Sequence, residues 1–336
     1  MSAILKIKSL TFPWQTDDPF LFCAYHRDEY PEGNSEMGPK ESLQGRPLGQ
    51  DFNPNQKWRM YHGTKVPGFP AHPHLGFETV TIVEEGLVDH SDSLGAAARF
   101  GNGDVQWITT GRGLQHSEMF PLLQQEKDNP FLLFQIWLNL PRKSKKVNPY
   151  FKMIWNEDIP VKEVMDKQGN ASKIKIIAGN YEDTIAPSPN PDSWAADQSN
   201  DVAIWIITLS PEAKFILPKT DKDTKRSLYF YKGSEVYAED FTIPENHQIL
   251  LKPEEDLLLK NGNETAYLLL LQGKPINEPV VQQGPFVTNS VGEIKQAIMD
   301  FQQNEFGGWP WSSYDNVHSK DVGRFAIFPD GSEVFK

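Results

Sequence analysis

Two short histidine motifs constrain this chain more than any other feature. AHPHLGFETVTIV carries His72 and His74, and GRGLQHSEMF carries His116 and Glu118. The residues between them, within the stretch from Gly68 to Pro121, read as short strands and tight turns. Side chains two apart on a strand point to the same face. His72 and His74 therefore share one face of one strand, and His116 and Glu118 share one face of another. If both faces point into the same barrel, four potential ligands converge. Three neutral imidazoles and one carboxylate suit a transition metal, iron above all, better than calcium or magnesium, which take oxygen ligands.

The surroundings of the motifs strengthen this reading. His72 and His74 lead into ETVTIVEEG, with apolar residues at Val80 and Ile82 and a turn at Gly86. Val80 and Ile82 have the parity of the two histidines, which predicts that the histidine face is the buried one. Such a cluster without an ion would leave buried polar groups unsatisfied, at about 1–3 kcal/mol each. Glu78 has the same inward parity, so it stands beside Glu118 as a candidate carboxylate ligand. Gly111 and Gly113 precede His116, where glycine permits positive φ and close backbone approach. Phe69, Phe77, Leu114, Met119 and Trp107 are the predicted apolar lining, which would suit a planar phenolic ligand. Arg112 reads as structural.

Length predicts two domains in 336 residues, and 38% hydrophobic with 12% aromatic residues suffices for sizeable cores. A net charge of −12 argues against non-specific binding to nucleic acid or anionic membrane. One cysteine, Cys23, excludes an internal disulfide and sits in the apolar run FLFCAY, as a core thiol would. No stretch approaches the ~20 apolar residues of a membrane helix. MSAILKIKSLTFPW reads as a first strand rather than an export leader, so a cytoplasmic location is the expectation.

Along the chain, residues 4–30 read as two strands. Residues 28–57 are a long loop rich in Gly, Pro, Asn and charge, either a surface excursion or a lid over the pocket mouth. Trp58 to Tyr61 reads as a strand, His62 as an exposed loop residue and His90 as a strand-end residue facing solvent. FLLFQIWLN is a core strand. The run Arg142, Lys143, Lys145, Lys146 reads as a solvated loop. From Val202 the strand pattern starts again, and LYFYKGSEVY repeats the strand–glycine–strand layout of TVTIVEEGLVDH, which suggests a duplicated barrel. The second copy lacks a His-x-His pair, and His247 reads as a loop residue without a metal role. Ser290 and Glu293 form a capping-box pattern ahead of Ile294, Ala297, Ile298 and Phe301, so a helix follows. His318 reads as exposed.

PGFPAHPHLGFETVTIV, GDVQWITTGRGLQHSEM, GPFV and FGGWPW resemble, in order, segments of the pirin family within the cupin superfamily. The resemblance covers nearly the whole chain. It implies an all-β fold of two cupin-type (jelly-roll) barrels with a short C-terminal helix. It divides the chain into 1–155, a metal-binding barrel holding the 28–57 loop, and 156–336, a barrel without metal ligands whose tail 304–336 packs back on the other domain. It implies iron, or another divalent transition metal, on His72, His74, His116 and Glu118, with Glu118 also the catalytic candidate. Ordinary cupins would nominate Glu78 instead. Two functions follow from the resemblance. One is a dioxygenase of the quercetin 2,3-dioxygenase type, with dioxygen and a small aromatic substrate. The alternative is a metal- or redox-sensing protein that regulates a protein partner, of the transcriptional co-regulator type. Neither binds nucleic acid directly or a membrane.

Overall fold

Short apolar alternations broken by glycine make strands almost throughout the computed structural model, which describes residues 2–336. In chain order the first are β1 (Ile4–Ser9), β2 (Phe20–Tyr30), β3 (Gly68–His74), β4 (Phe77–Glu85), β5 (Leu87–Asp92) and β6 (Ala97–Gly101). Then come β7 (Asp104–Thr109), β8 (Leu114–Met119), β9 (Asn129–Asn139), β10 (Tyr150–Ile154), β11 (Val161–Met165) and β12 (Ala171–Ala178). Later strands, from Ala203–Leu209 to Glu333–Phe335, complete a mostly antiparallel protein with one α-helix, Val291–Asn304, among the described residues. Among the described residues, no helix is long and apolar enough to cross a membrane.

The chain forms two compact units, both discontinuous in sequence. One comprises residues 24–136, 140–156 and 278–336, and the other 1–23, 137–139 and 157–277. These units differ from a single cut at residue 155 at both ends of the chain. The cause is strand pairing: β1 hydrogen-bonds to His247–Leu251, and Phe325–Ile327 extends the sheet of β6.

In the first unit a five-stranded sheet, β10-β7-β4-β9-β2, faces a six-stranded one, in which β6-β5-β8-β3 follow the two C-terminal strands. Val83, Ile108 and Leu133 from one sheet and Val88, Ala98, Phe100 and Leu114 from the other share one apolar core. These residues mark the inward faces. On β8 the inward side chains are Leu114, His116 and Glu118; on β5 they are Val88, His90 and Asp92. On β4 they are Thr79, Thr81 and Val83, and so Glu78, Val80 and Ile82 point outward.

The parity argument carried from His74 to Ile82 therefore fails. β3 and β4 are separate strands in different sheets, broken at Gly76 (φ +86), where a Cβ would sit 1.9 Å from the Val287 carbonyl oxygen. Trp58–Tyr61 is also not a strand; only Tyr61 makes isolated bridges, to Asp51 and Gly68. Lys145 is not solvated. It is buried, its Nζ donates to the Gly76 carbonyl at 2.8 Å, and burial pushes its pKa down to about 8.

The helix caps as expected, with Ser290 Oγ accepting from Glu293 N–H and Glu293 Oε2 accepting from Asn289 N–H. Its Ile294–Ala297 face packs on Phe286. Just beyond it, Phe306 lies over Gly113 (φ +125), where a Cβ would come within 2.6 Å of the ring. Residues 311–322 cross the outward face of the six-stranded sheet. Trp311 Nε1 donates to Asp92 O, Asn316 Nδ2 to Ser91 Oγ, and Arg99 to the carbonyls of His318, Ser319 and Val322.

The second unit has a seven-stranded sheet running β1, His247–Leu251, Lys225–Lys232, Ala266–Gly273, Ala203–Leu209, β12, β11. A four-stranded sheet of Lys214–Leu217, Leu257–Asn261, Glu235–Ala238 and Phe241–Pro244 accompanies it. Leu228, Phe230, Leu268, Leu270, Phe215 and Leu259 fill the core between them. Cys23 is buried in this unit, with its thiol pKa pushed up by burial. His247 opens a strand rather than lying in a loop.

Candidate metal centre

β3 and β8 run antiparallel as neighbours, with His72 directly opposite His116. An irregularity between Phe69 and His72 shifts the register there. This pairing gathers three imidazoles into one cluster. Ring centroids are 4.7 Å apart for His72 and His74, 4.6 Å for His72 and His116, and 4.9 Å for His74 and His116. One nitrogen from each ring lies within 4.8 Å of the others, a spacing that can hold a metal ion.

Glu118 stands beside the cluster, with Oε2 3.6 Å from His116 Nε2. Thr81 Oγ1 lies 3.1 Å from Glu118 Oε1, and Gln135 Nε2 donates to Oε2 at 2.9 Å. Glu78 is elsewhere, on the outward face of β4, where Thr109 Oγ1 donates to it at 2.6 Å across to β7. It supports the neighbouring strand.

The residues fit an ion. His116 is fully buried, yet neither of its ring nitrogens makes a hydrogen bond. A buried polar group left so costs about 1–3 kcal/mol, and a metal would remove one such vacancy by coordination. His72 Nδ1 donates to the Pro70 carbonyl at 2.9 Å, which leaves Nε2 with its lone pair toward ligation. Burial holds His72 down to about 4 and keeps His74 and His116 well below the ordinary imidazole range. All three rings are thus neutral at physiological pH, the form that binds metals. Burial raises Glu118 to about 7, against the opposing hydrogen bonds from Thr81 and Gln135.

The sign of the pH dependence follows. Below about pH 7 the metal-free protein holds a proton on Glu118, and ligation by the carboxylate must expel it. Affinity should then fall about tenfold per pH unit below that point. Glu118→Gln should weaken metal binding more than Glu78→Gln and flatten this slope. Titration calorimetry between pH 5.5 and 8 measures both. Equal losses in the two variants, or an unchanged slope in Glu118→Gln, would count against Glu118 as a ligand.

The predicted lining divides. The Phe77 ring lies 5.2 Å from His74 and the Phe69 ring 6.2 Å from His72, and Leu114 shares the inward face of His116. Met119 and Trp107 are buried but have the opposite parity on β8 and β7, and so point away. The long loop reaches this wall: Phe52 and exposed His62 pack on Phe69 at 6.3 and 5.7 Å. Arg112 is exposed and forms no ion pair among the described residues.

His90 was missed by the sequence reading. It is fully buried, not solvent-facing; its ring stacks on Phe151 and lies 5.5 Å from His116, and its Nε2 is 3.1 Å from Asp92 Oδ2. The alternation Val88, His90, Asp92 was the available signal. His318 is likewise half-buried, with its Nε2 2.8 Å from the His90 carbonyl.

The matching family descriptions are Pirin, over residues 13–138, and Pirin C-terminal cupin domain, over residues 204–307. A pirin-like protein of Solanum lycopersicum is 34% identical over 266 residues, 78% of this chain and 85% of its own length. Pirin of Mus musculus is 31% identical over 287 residues, 80% of this chain and 89% of its own. The crystal structure of a quercetin 2,3-dioxygenase from Acinetobacter baumannii superposes with a TM-score of 0.70 at 26% identity, covering 92% of this chain and 99% of that one.

Proposed function

The chain belongs to the pirin family, and on that premise we propose that it is a metal-dependent dioxygenase acting on a flavonol-like aromatic, with iron on His72, His74, His116 and Glu118. One observation carries the reading: three neutral imidazoles and a carboxylate meet on the inward faces of one barrel, with His116 lacking any other partner. The relation to the Acinetobacter baumannii quercetin 2,3-dioxygenase supports the substrate class. Iron held there would polarise a phenolic oxygen and pass electrons between the aromatic and dioxygen.

The protein's own groups supply the rest. Pro70 fixes the His72 ring through Nδ1. The aromatic edges of Phe69 and Phe77 flank the histidines and would orient a planar substrate. Glu118 would take a phenolic proton on leaving the metal, with Gln135 Nε2 still donating to its Oε2.

The test is elemental analysis of the purified protein followed by oxygen consumption with quercetin. We expect about one iron per chain and substrate-dependent uptake that His116→Ala abolishes. Metal without uptake across a panel of phenolics, together with partner affinity that changes on oxidation, would replace this reading with the sensing protein.

A further inference from the structure

Two arginines are buried among the described residues, and they are treated in opposite ways. Arg99 in the first barrel meets both oxygens of Asp89 and three backbone carbonyls. Arg226 in the second barrel is 3% exposed, yet its side chain makes no hydrogen bond and no ion pair among the described residues, and its Nε is closed to solvent. A guanidinium carries five N–H donors in a fixed fork. Leaving the Nε donor buried without an acceptor is costly.

Its setting is a polar end of an apolar barrel. Arg226 lies on the Lys225–Lys232 strand with the parity of core residues Leu228 and Phe230, so it points inward. Across the sheet its neighbours are Leu251 and Gln272. The nearby acidic groups are already engaged. Asp201 Oδ2 accepts from Thr220 and Thr224, its Oδ1 accepts from Gln272 Nε2, and Asp256 Oδ1 accepts from Lys219 N–H. Gln272 Oε1 is itself buried without a donor. Gln272 and Asp201 also line a cleft of about 400 Å³, walled by Gly179–Pro189 and by Ala195, Ala196 and Gln198. Glu182 and Asp183 on that wall are paired with Lys162.

By sequence position Arg226 corresponds to a residue of β4 in the first barrel. Arg226 stands as far ahead of the turn glycine Gly233 as inward-facing Thr79 stands ahead of Gly86, at the end of β4 that lies against His74.

We propose that the second barrel binds a small hydroxycarboxylate at Arg226, through the cleft beside Gln272. The carboxylate would take the guanidinium fork in bidentate fashion, and the hydroxyl would donate to Gln272 Oε1. One ligand of this class satisfies both orphaned groups. The assignment is independent of the metal chemistry proposed for the first barrel.

Thermal unfolding and titration calorimetry of the full chain, metal-stripped and metal-loaded, with glycolate, acetate and inorganic phosphate at matched ionic strength test it. Glycolate should raise the melting temperature by about 5 °C at a hundredfold excess over Kd, with acetate and phosphate weaker. Arg226→Met should abolish the effect. Arg226→Lys, which keeps the charge without the fork, should bind weakly, and Gln272→Leu should reduce glycolate to the level of acetate. No stabilisation of the wild-type chain by any of the three would mean that ordered water completes these hydrogen bonds, and would overturn the proposal. So would equal stabilisation of Arg226→Met, or an effect present only when metal is loaded.

Discussion

His116→Ala should remove nearly all bound metal while leaving the metal-free protein as stable as the wild type, or slightly more so. Both halves come from the same observation. The imidazole is central to the cluster, 4.6 and 4.9 Å from the two other rings, and 3.6 Å from the Glu118 carboxylate. Changes to groups that merely orient a ligand cost about 10–100-fold in affinity, and loss of a ligand should exceed that. Yet the ring makes no hydrogen bond with its nitrogens, so without an ion it contributes burial of an unsatisfied polar group. Most buried large-to-small substitutions lose about 2–5 kcal/mol; here removal of the orphaned nitrogens offsets the cavity. Metal content by elemental analysis and urea unfolding of the chelator-treated protein give the two readings. Full metal occupancy in the variant would dismiss the site. A large loss of metal-free stability would mean that His116 has a structural partner in place of an ion.

The site was legible because within each motif the paired residues lie two apart on one strand. Parity within HPH and within HSE needs no knowledge of the fold, and those local faces are the ones the structure presents to each other. Parity extended across a break did not survive. Leu75 and Gly76 separate β3 from β4, and the chain changes sheets there, so Val80 and Ile82 said nothing about the histidines and Glu78 was given the wrong face. The same limit explains Met119 and Trp107, which are apolar and near the motifs in sequence but of the wrong parity on their strands. Fully buried strands offer no alternation to correct such errors: all six residues of β8, and all six of β7, are buried.

Residues whose environment is made by distant chain were read worst. His90, His318 and Lys145 all looked like solvent-facing polar residues. His90 is covered by Phe151, and the carbonyl of Gly76 claims Lys145. His318 is drawn in by the Asp89 carboxylate and the His90 backbone. None of these partners lies within a few residues, and no local periodicity announces them. The helix at Val291–Asn304 is the converse case. Its cap and its apolar stripe are both local, and both are observed.

Arg99→Met should destabilise the first barrel by about 3–5 kcal/mol, the cost of breaking a buried pair by removing one partner. Arg99 and Asp89 are opposite each other on β6 and β5, both with fully buried side chains, at 2.6 and 2.7 Å. The remaining guanidinium hydrogens go to the carbonyls of His318, Ser319 and Val322, so one side chain ties the C-terminal segment to the sheet. Methionine fills the volume but strands the Asp89 carboxylate, which keeps only the His318 N–H, and takes a donor from each of those carbonyls, of which Ser319 O keeps the Val322 N–H. The double variant Asp89→Leu, Arg99→Met should recover part of the loss, because a buried pair replaced by apolar side chains is often neutral. Loosening the segment should also reach the metal, since its residues hold strands on both sides of the cluster: Trp311 bonds the Asp92 carbonyl at 2.8 Å, and Ala71, next to His72, donates to the Tyr314 carbonyl at 2.7 Å. A fall of about 10–100-fold in metal affinity is therefore expected for Arg99→Met, alongside earlier proteolysis within residues 309–324. Urea unfolding, limited proteolysis and metal titration report the three effects separately. A variant within 1 kcal/mol of wild type would show that the segment is held by its other contacts, and that the buried pair contributes little beyond its own desolvation.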